Sequence, residues 1–139
     1  MRKTLAFLIL AIALVGGGCG GFIKGKAAAE QGVTDFHSRY NEGKFSEVYS
    51  ASHPAFRGAT GEKQFLEFAG AVHRKLGKVT GTSTAGFNIS SMNLKTRVVL
   101  NQATTFEQGT GTEVFTFEMN GEKALLVGYN INSKDLILK

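Results

Sequence analysis

The sequence predicts an α+β domain in which three helices come first and a four-stranded antiparallel sheet follows. Two observations carry this reading. Apolar residues recur at helical spacing as far as Leu76, then alternate residue by residue after Gly77. The alternating part is punctuated by Gly109-Thr110-Gly111 and Asn120-Gly121, which read as turns between neighbouring strands. Helices segregated from strands along the chain make an α+β layout.

Each helix shows a face and a stop. Ala29, Val33, Phe36, His37 and Tyr40 fall on one side of the first, and Asn41-Glu42-Gly43 ends it. Phe45, Val48 and Tyr49 form a second, short stripe. It stops before Pro54, because the residue preceding a proline is pushed out of the helical region. Thr60 is the expected cap of a third helix, with Glu62 in its first turn at the positive end of the dipole. Phe65, Phe68, Val72 and Leu76 make its apolar face, and Gly77 supplies the stop.

The strands follow a period of two. Val79–Ser83, or slightly more, is the first. Met92, Leu94, Val98 and Leu100 share a face of the second. Phe115, Phe117 and Met119 mark the third, and Leu125, Val127, Tyr129 and Ile131 the fourth. The last hairpin allows two registers. A two-residue Asn120-Gly121 loop pairs Met119 with Glu122 and splits the apolar sets between faces. A three-residue loop with Gly121 left-handed pairs Glu118 with Glu122, brings Phe115 opposite Leu125, and puts the apolar sets on one face. The second register is favoured, because it gives the helices one apolar face to cover.

Ahead of this domain lies a leader. Met1-Arg2-Lys3 is a short positive segment, and the twelve residues 4–15 that follow are nearly all apolar, the architecture of an export signal. Three readings stand. In the first, the chain is cut before Cys19, its only cysteine, whose thiol then carries lipid. In the second nothing is cut. Residues 4–23 carry no charge, and about 20 helical residues span a hydrocarbon core. In the third, cleavage releases a soluble protein and leaves Cys19 without a role. Residues 1–18 are therefore a signal peptide or an anchor reaching to 23, residues 19–26 a Gly/Lys tether, and residues 27–139 a single domain. The leader resembles that of bacterial lipoproteins, with Gly17 and Gly18 as the small residues before Cys19; it departs at Gly16, where an aliphatic residue is usual. That resemblance implies a periplasm-facing position in the cell envelope. Gly20 after the cysteine, in place of aspartate, permits the outer membrane.

Composition narrows the function classes. The chain has 139 residues and a formal charge of +5, part of it from Arg2 and Lys3 in the leader, and no run of Lys or Arg forms a nucleic-acid stripe. One cysteine builds neither an intramolecular disulfide nor a zinc site. The glycines at 16–21 precede the domain and are no phosphate cradle. No cofactor and no metal site is expected.

The phrases FHSRYNEGKFSEVYSASHPAFRG, EFAGAVHRKLGKV and GTEVFTFEMNGEKALLVGYNINS give the order helix, turn, short helix, "FR" segment, helix ending in Leu-Gly, then sheet. Over residues 27–133 this resembles the cystatin-like, nuclear-transport-factor-two-like α+β cone, and more narrowly its small periplasmic domains behind a lipoprotein or signal-anchor leader. The resemblance implies a sheet curved around the helices with a pocket at its open end. Some enzymes of the superfamily, such as ketosteroid isomerase, use a pocket Asp and Tyr. Asp35 and Asp135 match neither position, so those roles are not carried over.

His37 is the leading candidate for chemistry. It lies on the apolar stripe of the first helix, with Tyr40 one turn on, and general acid–base work needs an imidazole within reach of a substrate proton. A locally bonded boundary histidine is the simpler reading. Tyr129 offers its hydroxyl from the sheet, though a packed core residue is the simpler reading there too. His73 is expected on the outer face of its helix and His53 in a turn, with Arg57 in an ion pair or on an anion. The expected function is non-catalytic binding of an envelope protein or small apolar ligand by a membrane-tethered domain. The membrane contact runs through acylated Cys19 or an uncut N-terminal helix. The alternatives are a small isomerase or hydrolase using His37 with Tyr40 or Tyr129, and a self-associating structural protein of the envelope.

Overall fold

The computed structural model describes residues 20–139; the leader and Cys19 lie outside the described residues. Four helices come first: α1 (Gly20–Asn41), α2 (Phe45–Ala51), α3 (Pro54–Ala59) and α4 (Glu62–Leu76). Four strands follow, β1 (Val79–Met92), β2 (Lys95–Phe106), β3 (Gly109–Asn120) and β4 (Lys123–Asn132), then a short helix α5 (Lys134–Leu138). The strands form one open antiparallel sheet in the order β1-β2-β3-β4. The predicted α+β layout is therefore present. No helix among the described residues is long and apolar enough to cross a membrane.

The helix faces fall where the period places them. α1 buries Ala29, Val33, Phe36, His37 and Tyr40, and each fully buried large side chain contributes about 1.5–3 kcal/mol. The described chain is helical from Gly20 on, so residues 20–26, expected as a tether, belong to α1. Gly77 is left-handed (φ 75°) and closes α4 as expected. Thr60 is not the cap of α4. It closes α3, a helix missed in the sequence because Pro54 was read only as a stop. Proline at the first helical position leaves no amide needing a partner, and His53 caps it, Nδ1 accepting from the amide of Ala55 at 3.0 Å. Phe68 leaves the buried face of α4, half-exposed, and sets its ring edge toward Tyr129.

α1 is fixed to the sheet at both ends. The Asn41 side chain accepts from the Val79 amide at 2.8 Å and donates to its carbonyl at 3.0 Å, as a neighbouring strand would. The Tyr40 hydroxyl donates to the carbonyl of Gly77 at 2.9 Å. At the other end Gly25 lies against Val98, near the start of β2. In the middle Gly32 lets the helix close on Phe117: a Cβ there would sit 2.6 Å from the ring.

Three expectations for the sheet fail, each for a local reason. Met92 and Leu94 do not belong to one strand. Met92 ends β1, and Asn93 (φ 51°) and Leu94 (φ 62°) form a left-handed two-residue turn before Lys95. The β2–β3 turn is Glu107-Gln108, with Gly109 already pairing with Phe106. The last hairpin adopts neither proposed register: the loop is Gly121-Glu122, with Asn120 opposite Lys123 and Phe117 opposite Leu126. A bulge at Val127 then shifts the parity, so that Phe115 faces Tyr129. The expected fourth-strand set is therefore split: Tyr129 and Ile131 share the face of Phe115 and Phe117, Leu126 takes the place opposite Phe117, and Leu125 stands opposite Glu118 on the other face.

Candidate functional site

The inner face of the sheet is apolar at one end and polar at the other. Leu100, Phe115 and Phe117 fill the first part. Beyond them the same face carries Gln102 and Thr104 of β2 and Glu113 of β3, all buried. Glu113 stands directly across from Gln102 and is 1% exposed. A carboxyl taken so far from water requires partners on both oxygens, and three elements supply them. Thr104 Oγ1 donates to Oε1 at 2.6 Å, His37 of α1 places Nε2 2.7 Å from the same oxygen, and the Tyr129 hydroxyl of β4 donates to Oε2 at 2.5 Å.

Around this network the space is full of aromatic rings. Phe36 stands edge-on to Phe115 at 5.0 Å and stacks on Tyr129 at 4.8 Å. His37 lies edge-on to Phe115 at 5.6 Å. The void beside Tyr129, lined also by Phe36, Phe65 and Val72, measures about 10 Å³, the size of one water probe at most. Burial raises the Tyr129 hydroxyl well above the ordinary phenol pKa, and the negative charge and hydrogen bond of Glu113 raise it further.

The sequence-predicted residues divide here. His37 and Tyr129 meet on one carboxyl group. Tyr40 does not join them: its hydroxyl bonds Gly77, and burial followed by the charges of Glu113 and Glu107 raises its pKa. His73 is not an outer-face residue. Its ring packs edge-on against Tyr40 at 5.0 Å and Phe45 at 5.7 Å, with Nε2 buried and unpartnered. Arg57 forms no ion pair among the described residues: Nη1 donates to the carbonyls of Ser50 and Ser52. Cys19 lies outside the described residues. Glu113, the centre of the network, was missed. Its signal was present, since it lies two residues before Phe115 in the same alternating phase.

A second buried carboxylate sits on the other face. Glu118 of β3 accepts from Arg97 Nε at 3.3 Å and lies 3.7 Å from Lys95 Nζ and 3.4 Å from His53 Nε2. Loss of water would raise its pKa, but the Arg97 hydrogen bond and the charges of Lys95, His53 and Arg97 prevail and hold it below the usual carboxylate range.

Open space lies at both ends of the sheet, and the larger groove, about 830 Å³, runs past Thr104, Thr110, Ser133 and Asp135 beside α5. A groove of about 550 Å³ runs between the first turns of α1 (Gly21, Lys24, Gly25, Ala28) and the sheet end formed by Thr96, Met119 and Glu122. Among the described residues no cluster of three His, Cys, Asp or Glu side chains is placed to hold a metal ion. No protein-family model, curated protein or solved structure matches the chain.

Proposed function

We propose that this chain is a membrane-tethered domain of the bacterial cell envelope, periplasm-facing, that binds a partner protein or a small apolar ligand and performs no catalysis. Within this reading the fold is the cystatin-like, nuclear-transport-factor-two-like cone; helices preceding a four-stranded meander, with α1 laid along its inner face, support that label. The observation that carries the binding reading is that the candidate catalytic side chains are engaged with partners inside the protein. His37, Thr104 and Tyr129 are spent on Glu113 inside a filled core, and Tyr40 is spent on Gly77. One groove large enough for a ligand is at the end where the leader joins α1, with walls small and apolar apart from Lys24, Thr96 and Glu122; a larger and more polar one lies at the opposite end, against Thr104, Thr110, Ser133 and Asp135.

The intact mass of the protein extracted from its native membrane tests the tether. A chain beginning at Cys19 with added acyl mass supports a lipoprotein, and one beginning at Met1 supports an uncut span. A soluble product beginning beyond Cys19 overturns the tether in both forms.

A further inference from the structure

The end of the molecule that carries the leader exposes four large apolar side chains, Phe22, Ile23, Met92 and Leu94. β1–β2 and β3–β4 are antiparallel hairpins, so their turns at Asn93-Leu94 and Gly121-Glu122 lie at one end of the sheet. The start of α1 lies there too, since Gly21 and Lys24 share a groove with Thr96 and Gly121. Residues 1–19 therefore join the described chain beside the β1–β2 turn.

That turn is unusual in its chemistry. Two-residue turns of this hand favour Asn-Gly, because both positions need positive φ. Here the second position is Leu94, at φ 62°. A leucine is strained in that conformation, and this one touches nothing: it is fully exposed, and Met92 beside it is 76% exposed. Phe22 and Ile23 are exposed on the adjoining first turn of α1. Among the described residues nothing packs on Leu94 to offset either the strain or the exposure. Exposed basic residues lie at the same end: Lys95 and Arg97 beside Met92, both also paired with Glu118, Lys24 beside Thr96 and Glu122, and Lys123 at the β3–β4 turn. Apolar tips beside Lys and Arg suit one surface in particular, the interface of a bilayer with anionic headgroups.

We propose that the β1–β2 turn inserts Met92 and Leu94 into the interface of the membrane to which the chain is tethered, so that the domain is held flat-ended against the lipid and does not swing freely. This rests on the tether proposed above. It assigns the orientation: the α5 end, with its exposed Ile137 and Leu138, points away from the membrane.

The chain contains no tryptophan, which makes single-tryptophan variants clean reporters. The full chain bearing Leu94→Trp is reconstituted in vesicles of phosphatidylcholine and phosphatidylglycerol with or without bromines on the acyl chains. Met92→Trp, at an ordinary strand position, is the second reporter should the turn not accept tryptophan, and Ile137→Trp is the far-end control. At an interfacial depth of about 5–10 Å, emission from positions 92 and 94 shifts to the blue and bromine quenches it about twofold or more; position 137 is unaffected. Flotation separates the two levels. A chain that does not float with the vesicles overturns both the tether and this inference. A chain that floats with tryptophan 92 and 94 unquenched, or with 137 quenched in their place, overturns the inference and leaves the tether standing.

Discussion

His37 Nε2 lies 2.7 Å from Glu113 Oε1, joining the middle of α1 to the third strand across 76 residues of chain. The pair is a fastener between helix and sheet. Removing the carboxyl leaves Thr104, Tyr129 and His37 without their acceptor in a site that water does not reach. Glu113→Ala is expected to cost about 3–5 kcal/mol, as for other broken buried pairs. Glu113→Gln keeps one acceptor oxygen but turns an amide toward a donor, and should cost about 1–3 kcal/mol. Urea unfolding of both variants checks the order. A Glu113→Ala loss no larger than that of an exposed glutamate would show that the network carries no stability.

The raised pKa values of Tyr129 and Tyr40 fix the sign of the alkaline limb. The folded state holds both protons where the unfolded chain releases them. Their contribution is complete below the unfolded value of about 10 and is lost as pH rises toward the raised folded values. Two of the three tyrosines should therefore ionise only with unfolding. Phenolate absorbance and far-ultraviolet circular dichroism, followed together above pH about 10, test this. All three tyrosines ionising in a chain that stays folded would refute it.

Glu118 contributes to the acid limb, as does Glu42 through Lys44. The Glu118 pKa is lowered by Arg97, Lys95 and His53, so its contribution is present above the unfolded glutamate value of about 4.3 and disappears as pH falls through the depressed folded value. Glu118→Gln should flatten the loss of stability in that window and leave the alkaline limb unchanged. Thermal unfolding across pH 2–6 (roughly the span over which carboxylates titrate) is the measurement.

Parts of this structure were legible because burial obeys a period. The faces of α1 and α4 and the stop at Gly77 follow from spacing and from one left-handed residue. Other parts turn on single residues that break their own rule. Leu94 occupies a turn position that its side chain disfavours, so alternation runs through Met92 and Leu94 as if in one strand. Val127 is the extra residue of a bulge, yet Leu125, Val127 and Tyr129 alternate without a break. The network was half legible: His37 and Tyr129 stood on apolar faces, and Glu113 shared the phase of Phe115. Their meeting depended on the bulge that turns Tyr129 inward, and on the close approach permitted by Gly32.

Two glycines in helices should respond in opposite directions to alanine. Helical glycine is ordinarily worse than alanine by about 0.5–1 kcal/mol. At Gly58 in α3 a Cβ meets nothing within 4 Å, so Gly58→Ala should stabilise by about that amount. At Gly32 the Cβ would sit 2.6 Å from the buried ring of Phe117, so ring or helix must shift. Overpacking costs typically about 1–3 kcal/mol, which exceeds the gain in propensity, so Gly32→Ala should destabilise by about 1–2 kcal/mol. Denaturant midpoints of the two variants decide it. A stabilising Gly32→Ala would mean that α1 does not rely on that close approach.

Leu94→Gly should make the domain more stable, though it deletes a large apolar side chain. The left-handed conformation costs a leucine about 1–2 kcal/mol, and that strain vanishes with glycine. Glycine brings a larger entropy loss on folding, about 0.5–1 kcal/mol. The leucine has no buried contacts to lose, so the balance favours the variant by up to about 1 kcal/mol. Leu94→Ala keeps the Cβ and hence the strain, and should give no gain. Asn93→Gly should give less than Leu94→Gly, since asparagine tolerates positive φ better than leucine does. Urea midpoints of the three variants in lipid-free solution supply the test, and a Leu94→Gly that unfolds earlier than the parent would show that Leu94 makes contacts within the chain after all.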